Sequence, residues 1–259
     1  MIYDNTPTLA PQSAEALLSV QDYFDHWKWL CKYKPPRTML LLMDVAEARA
    51  IQSCGMEILG YAPGWLPGLD DIRRITHENQ RHLASVHTHN VLKTLSARPE
   101  LLKNRKVFYC NTRGLRDHAG QYWRVYQLST PVGFDEQGRL AAYISYYTIL
   151  GPYQGEPFET AVYPDPRFPA DAQRLQQALN KIKSGILENL GFSRRQEELI
   201  QLMAQGASAK DIAITMRISD RTVDKHRLGV LQKGRDLFPL NAFTQAADVV
   251  GFLKKQGLV

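Results

Sequence analysis

The stretch of residues 192–233 constrains the fold more than any other part of the chain, because it predicts three short helices in close succession. Ser193 is followed three residues later by Gln196, and Ser208 is followed likewise by Asp211. A serine at a helix N-terminus accepts a hydrogen bond from the first turn, and an acceptor three residues on can return one to the serine backbone. The spacing therefore predicts helices that begin directly after these two serines.

A third helix follows after a short turn, predicted over residues 215–218. Ser219 is its predicted cap, with Thr222 in its first turn. Gly206 lies just past the first helix, where a left-handed residue is favoured. A compact helix-turn-helix of this kind can present one helix edge-on to a DNA major groove.

The apolar residues of all three helices recur at helical spacing, which predicts one buried face on each. The predicted inward positions are Leu199, Leu202 and Met203, then Ile212, Ala213 and Met216, then Val223, His226 and Val230. The opposite side of the third helix carries Arg221, Asp224, Lys225, Leu228 and Gln232. This second set is what a solvated recognition surface requires.

Residues 192–233 resemble the LuxR-type helix-turn-helix domain of bacterial transcription regulators. The family pattern is roughly T-x-R-E-x-E-V-L, then A-x-G-x-S-x-K-E-I-A, then I-S-x-x-T-V-x-x-H and a following Lys. The matching residues are Ser193, Arg195, Gln196, Glu198, Leu199, Ile200, Ala204, Gly206, Ser208, Lys210, Asp211, Ile212, Ala213, Ile218, Ser219, Thr222, Val223, His226 and Lys233. The chain departs from the pattern at Asp224, Gly229 and Gly234, and in the longer segment 235–241.

The resemblance implies that double-stranded DNA is the partner and divides the site residues into two groups. Phosphate contacts are implied for Lys210, Thr222 and His226, and the charges of Arg221 and Arg227 favour the same role; His226 can equally be a packed residue. Base contacts are implied for Asp224, Lys225 and Leu228. Lysine donates to guanine, aspartate accepts from cytosine, and leucine packs on a thymine methyl group.

The charge distribution agrees with an anionic partner. The whole chain has a net charge of +6 and a pI of about 9.2. Residues 193–235 contain nine basic and five acidic residues, a local charge of about +4. Most of the excess positive charge is therefore concentrated in the predicted helix-turn-helix.

The N-terminal part predicts an antiparallel sheet preceded by helices, so the expected fold class is α+β with an all-α, four-helix C-terminal domain. Helices are predicted over residues 12–33, 45–53 and 70–97, with a loop over 55–69. Strands are predicted over residues 38–43, 107–111, 122–130 and 140–150. The segment RGLRDHAGQ, residues 113–121, is expected to be a hairpin loop.

The segment GQYWRVYQLSTPVGFDEQGRLAAYISYYTI resembles the last three strands of a PAS domain. The matching residues are Gly120, Trp123, Arg124, Pro131, Asp135, Gly138 and Leu140. The resemblance implies a sensor domain with a small-molecule pocket against the aromatic sheet, for which the candidate residues are Tyr109, Tyr126, Tyr143 and Tyr146. An ordinary aromatic core is the open alternative, and no cofactor is identified.

Four regions are predicted along the chain: an N-terminal helix (1–36), a PAS-like domain with a proline-rich strap (37–170), a linker helix (171–190) and the helix-turn-helix domain (191–259). The linker helix carries an apolar seam that can pair two subunits or fold back onto the sensor. The seam consists of Ala172, Leu175, Leu179, Ile182, Ile186 and Leu190. We expect a homodimer.

Other classes of function have little support in the sequence. The histidines His77, His82, His87 and His89 do not share one helix face, and three scattered cysteines suit no metal site or disulfide framework. No phosphate-binding loop or catalytic triad is found, so an enzyme is not expected. No signal pattern and no run of roughly 20 apolar residues occurs, which favours the cytoplasm and no membrane.

Two alternatives to a small-molecule-sensing regulator remain. One is a quorum-sensing receptor for an acyl-homoserine lactone, for which Trp65, Asp70 and Asp71 are the nearest candidates. The other is a ligand-free regulator whose PAS-like domain binds a protein.

Overall fold

The computed structural model describes residues 20–96, 107–164, 177 and 185–259. The chain divides into two compact units, Met1–Tyr33 and Lys34–Val259. In the first unit, helix α1 spans Val20–Tyr33, which confirms the described part of the predicted N-terminal helix. Its predicted beginning, residues 12–19, lies outside the described residues.

Six strands form one antiparallel sheet in the second unit, in the order β2-β1-β5-β4-β3-β6. The strands are β1 (Thr38–Asp44), β2 (Arg49–Cys54), β3 (Val107–Arg116), β4 (Tyr122–Phe134), β5 (Leu140–Pro152) and β6 (Glu159–Pro164). The predicted α+β class and the four predicted strands are confirmed. Strand β3 is longer than predicted, because it includes the first four residues of the expected RGLRDHAGQ loop.

The helix predicted over residues 45–53 is wrong, because most of this segment is β2 and its hairpin turn. Strand β2 pairs with β1 through Leu41 and Ser53, and through Leu42 and Gln52. The turn is closed by the Glu47 N–H, which donates to Asp44 Oδ1 at 2.9 Å. Pairing with an existing strand therefore decides the conformation of a segment whose own pattern is ambiguous.

The single long helix predicted over residues 70–97 is two helices, α2 (Leu69–Ile75) and α3 (Glu78–Ser96). Thr76 breaks the helix because it forms an isolated β-bridge with Leu115 of β3. A 3-10 helix, Met56–Leu59, lies in the expected loop before α2. Its Met56 and Leu59 side chains belong to the buried core on the inner face of the sheet.

Within the predicted proline-rich strap, residues 159–164 form an extended strand, β6, which pairs with β3 at the edge of the sheet. Residues 165–170 and most of the predicted linker helix lie outside the described residues. The two described seam residues, Ile186 and Leu190, are buried in the core of the C-terminal helices. The pairing role predicted for the seam as a whole stays a prediction.

The C-terminal helices are α4 (Ile186–Asn189), α5 (Arg194–Ala204), α6 (Ala209–Met216), α7 (Asp220–Leu237) and α8 (Ala246–Lys255). Leu199, Ile212, Val223 and Val230 are fully buried between them, as their helical spacing predicts. In the part of the chain that the structure describes, no helix has both the length and the apolar character needed to cross a bilayer.

Candidate nucleic-acid interface

Reciprocal capping fixes the starts of α5 and α6, as predicted. The Gln196 N–H donates to Ser193 Oγ at 3.3 Å, and the Ser193 N–H donates to Gln196 Oε1 at 2.8 Å. At α6, the Asp211 N–H donates to Ser208 Oγ at 3.2 Å, and the Ser208 N–H donates to Asp211 Oδ2 at 3.1 Å. Each cap pairs backbone groups that a helix end would otherwise leave without a partner.

The turn between α6 and α7 is shorter than predicted, because α6 continues through Met216. Arg217 follows in the left-handed conformation, with φ 54° and ψ 49°, and reverses the chain. Ser219 then caps α7, where its Oγ accepts from the Thr222 N–H at 3.2 Å. The local signals thus fix the position and direction of α7 relative to α6.

Helix α7 has one buried face and one exposed face. Val223 and Val230 are fully buried, and His226 is half-buried. The exposed residues are Arg221, Asp224, Lys225, Leu228 and Gln232, as the sequence predicts. Leu228 is 66% exposed, so its side chain is accessible to a partner.

The charged groups on this surface are held only weakly within the protein. Arg227 Nη1 lies 3.9 Å from Asp224 Oδ1, and an exposed pair of this kind contributes about 0–1 kcal/mol. Lys210 on α6 is exposed, and Thr222 and Arg227 are half-buried. These side chains can therefore exchange their present contacts for phosphate oxygens or base edges at little cost.

Sequence reasoning missed Ile214, which is 76% exposed on α6. The signal was present, because Ile214 falls out of phase with the buried set Ile212, Ala213 and Met216. The helix-turn-helix therefore exposes an apolar side chain on α6 as well as Leu228 on α7.

The two glycines that depart from the LuxR pattern each fit a close contact. A Cβ at Gly234 would lie 2.5 Å from Val249 Cγ2, so glycine lets α8 pack directly against α7. A Cβ at Gly229 would lie 2.6 Å from Nε2 of Gln196, the residue that completes the α5 cap. Gly234 therefore serves helix packing, and Gly229 leaves room for the capping side chain of Gln196.

The sheet contains a second candidate site, a cavity of about 40 Å³ on its inner face. Of the four tyrosines predicted for a ligand pocket, Tyr109 and Tyr143 line this cavity, and their role in ligand binding stays a prediction. Tyr126 and Tyr146 do not line it, because they alternate to the opposite face of β4 and β5, where they are half-buried. The other lining residues are Thr88, Val91, Leu92, Gln127, Ser129, Thr130, Pro131 and Leu140.

The histidines of the α2–α3 region serve separate local contacts. His77 packs against the rings of Tyr122 and Tyr153, with centroids 4.7 and 4.8 Å away. His87 is buried, and its Nε2 is 2.8 Å from Thr160 Oγ1. Over the described residues, no three His, Cys, Asp or Glu side chains cluster closely enough to hold a metal ion.

Comparison with known proteins places the helix-turn-helix in a family. Residues 190–233 match the family described as "GerE: Bacterial regulatory proteins, luxR family". No curated protein sequence matches the chain.

Solved structures that are similar to the chain, all at low identity, include the following three. The N-terminal domain of a diguanylate cyclase with PAS/PAC sensor from Marinobacter aquaeolei is 14% identical, with 44% of this chain and 95% of that chain covered and a TM-score of 0.35. The Vibrio cholerae VqmA dimer is 14% identical, with 90% and 88% covered and a TM-score of 0.30. Escherichia coli SdiA is 13% identical, with 93% and 92% covered and a TM-score of 0.27.

Proposed function

We propose that this chain, whose residues 190–233 form a LuxR-family regulatory domain, is a cytoplasmic transcription regulator that binds double-stranded DNA and responds to a small molecule through its PAS-like sheet domain. The observation that carries the proposal is the exposed face of α7. Lys225 and Leu228 project from a helix whose other face is anchored by the fully buried Val223 and Val230. A rigid helix with an exposed polar and basic edge suits the major groove.

Phosphate contacts and base contacts fall to different residues in this proposal. Lys210 and Thr222, at or near helix N-termini, hold the DNA backbone, together with Arg221, His226 and Arg227. Asp224, Lys225 and Leu228 reach base edges, where an amine, a carboxylate and an apolar group discriminate between bases. The protein acts by binding, and no step of catalysis is needed.

Two copies of the chain are proposed to act together. A homodimer would place two α7 helices on half-sites about one helical turn apart, roughly 34–36 Å. A ligand that favours one arrangement of the two helices over another would then change DNA affinity by shifting the population of states.

Contacts between the sheet and the C-terminal helices support such coupling. The Phe158 N–H, just before β6, donates to Gln256 Oε1 at 2.7 Å. Leu83 and Ala84 of α3, together with Phe158, belong to the same buried cluster as the core of the helix-turn-helix domain. The ring of Phe158 also lies 6.0 Å from that of His87, whose Nδ1 is 3.4 Å from the hydroxyl of the cavity-lining Tyr109. A continuous path of contacts thus links the cavity to the DNA-binding domain.

The proposal is tested by selecting a preferred duplex from a random-sequence pool and measuring its affinity by fluorescence anisotropy. Lys225→Ala is expected to weaken the selected duplex by about 1–3 kcal/mol and to relax its specificity. Lys210→Ala is expected to weaken selected and scrambled duplexes alike and to reduce the salt dependence. Lys255→Ala, which removes an exposed lysine from the last turn of α8, is the matched control. Equal binding by wild type and both test variants at low salt would rule the proposal out.

A further inference from the structure

Arg113 is a buried cation on the inner face of the sheet. Its side chain is 5% exposed, and its neighbours on the same face of β3, Asn111 and Leu115, are 1% exposed. Arginine is rarely buried to this extent without an anionic partner, because removing its charge from water is costly.

The hydrogen-bond partners of Arg113 are neutral. Its Nε donates to Asn111 Oδ1 at 2.8 Å, and its Nη2 donates to Gln127 Oε1. None of the ion pairs found among the described residues involves Arg113.

The nearby phenols do not compensate this charge. Burial raises the pKa of Tyr109 to about 12, although the charge of Arg113 acts in the opposite direction. Burial also raises the pKa values of Tyr143 and Tyr147. All three phenols are therefore neutral at physiological pH, and the positive charge of Arg113 stays unbalanced within its surroundings.

A polar network connects Arg113 to the cavity. Gln127, which accepts from Arg113, lines the cavity, and its Nε2 donates to Ser129 Oγ at 2.9 Å. Ser129 also lines the cavity, as does Thr130, whose buried Oγ1 has no hydrogen-bond partner. The cavity lining thus combines polar Gln127, Ser129 and Thr130 with apolar Val91, Leu92 and Leu140. Arg113 does not line the cavity itself and is connected to it through Gln127.

We infer that this cavity binds a small organic carboxylate, whose anionic group is held by Arg113 and whose apolar part packs against Leu92 and Leu140. The inference rests on the proposed sensory function and names its ligand class. Guanidinium groups match carboxylates through two parallel hydrogen bonds, and one arginine neutralises one negative charge. The two acceptors of Arg113, Asn111 Oδ1 and Gln127 Oε1, mark the directions from which two carboxylate oxygens would accept.

The cavity volume limits the size of the ligand. About 40 Å³ accommodates roughly one water molecule, so the side chains of Gln127 and Leu92 must move to admit even a compact acid. Such a movement would release Gln127 from Arg113 and disturb the contacts of Tyr109 with His87, which begin the path towards the C-terminal helices.

The test uses the full chain and three acid–amide pairs: acetate with acetamide, propionate with propionamide, and benzoate with benzamide. Thermal unfolding is followed by tryptophan fluorescence, because all four tryptophans precede residue 124 and none lies in the C-terminal helices. Sodium chloride at equal ionic strength corrects for salt. At least one carboxylate is expected to raise the unfolding temperature in a saturable way, while its amide has no effect at the same concentration.

Two variants locate the effect. Arg113→Met is expected to weaken carboxylate binding at least about tenfold, which corresponds to one lost charge-assisted contact of about 1.4 kcal/mol. Arg116→Met, which removes an exposed arginine at the end of the same strand, should bind as wild type does. If Arg113→Met fails to fold, the acid–amide comparison on the wild type decides alone.

Three results would overturn the inference: no stabilisation by any of the three acids, equal stabilisation by an amide, or undiminished binding to a folded Arg113→Met variant. DNA binding is measured separately. Intact sequence-specific DNA binding together with any of these results removes the carboxylate inference and leaves the proposed regulator standing.

Discussion

The sheet core and the helical core of the C-terminal domain differ in what they bury. Among the described residues, all ten buried polar or charged side chains lie between Thr38 and Ser145, and none lies within residues 185–259. In the described part of the helical domain, every polar or charged side chain keeps at least part of its surface exposed, as on the outer face of α7. The sheet instead encloses an arginine, two amides and two serines in one network.

This difference suits two separate tasks: the helical core supports an exposed helix, and the sheet core encloses polar groups. A dry helical core gives a rigid support, because close-packed apolar side chains tolerate little rearrangement. Buried polar groups cost stability unless every one is paired, so a sequence that keeps them there implies another use. The comparison therefore agrees with the proposed roles of α7 as a fixed surface for DNA and of the sheet interior as a ligand site.

Phe238→Ala is the largest expected disturbance of the dry core. Phe238 is fully buried, and its ring centroid lies 4.6 Å from that of Phe252. Truncation should lower the free energy of unfolding of the helical domain by about 3–5 kcal/mol, measured by circular dichroism in urea. Leu240→Ala, at a residue that is 60% exposed, should change it by less than about 0.5 kcal/mol. Similar losses of stability for both variants would contradict a close-packed core around Phe238.

Gln127→Leu tests the polar core in the opposite way, by adding an apolar side chain. It should destabilise the sheet by about 3 kcal/mol, because Arg113 and Asn111 both lose their acceptor. Adding Arg113→Met should recover part of this loss, since both partners are then apolar. The exposed Gln137→Leu is the control. The free energy of unfolding is measured by tryptophan emission in urea. If Gln127→Leu leaves it unchanged, the network contributes nothing to stability.

Gly234→Ala tests how closely α8 packs on α7. The new Cβ would lie 2.5 Å from Val249 Cγ2 and 2.8 Å from Cγ1, so the helices must separate, at a cost of about 1–3 kcal/mol. Gly251→Ala, on the exposed side of α8 with no atom within 4 Å, should instead gain about 0.5–1 kcal/mol. Stabilisation by both alanines, measured by thermal unfolding, would mean that the core is loosely packed.

Asp248→Asn gives the smallest expected effect and concerns a surface cap. The Thr244 N–H donates to Asp248 Oδ2 at 2.8 Å, and the Thr244 hydroxyl and the Gln245 N–H donate to the same carboxylate. These hydrogen bonds lower the pKa of the Asp248 carboxyl from 3.8 to about 2. A depressed pKa gives stability that is present above pH 3.8 and is lost as the pH falls towards 2. The variant should therefore lose less helical stability than wild type over this interval in acid titrations. An identical acid profile would contradict the cap.

Local chemistry made the helical domain predictable. The capping serines and the alternation of Val223 with Lys225 act within a few residues, so they can be read without knowing the rest of the chain. The break at Thr76 and the strand at residues 49–54 could not be predicted, because each depends on pairing with a distant strand, β3 or β1. Non-local pairing leaves no periodic signal in the segment it determines.

The buried polar network was missed for a related reason. Alternating polar residues in a strand normally indicate a solvent-facing side, and Arg113 was assigned to a loop. The structure instead turns Asn111, Arg113 and Gln127 inward, beside apolar residues such as Val125 and Leu115. Burial of a charge is a tertiary property, and the sequence pattern alone predicts the opposite.

The most direct test of the central claim, that the exposed edge of α7 contacts DNA, is site-specific photocrosslinking. The photoreactive residue benzoylphenylalanine is placed at Leu228, the exposed leucine on that edge, and in a second variant at Lys255, in the last turn of α8. Under conditions where both variants bind the selected duplex, we expect crosslinks to DNA from position 228 and none from position 255. Crosslinks from position 255 alone, or equal crosslinking from both, would contradict it.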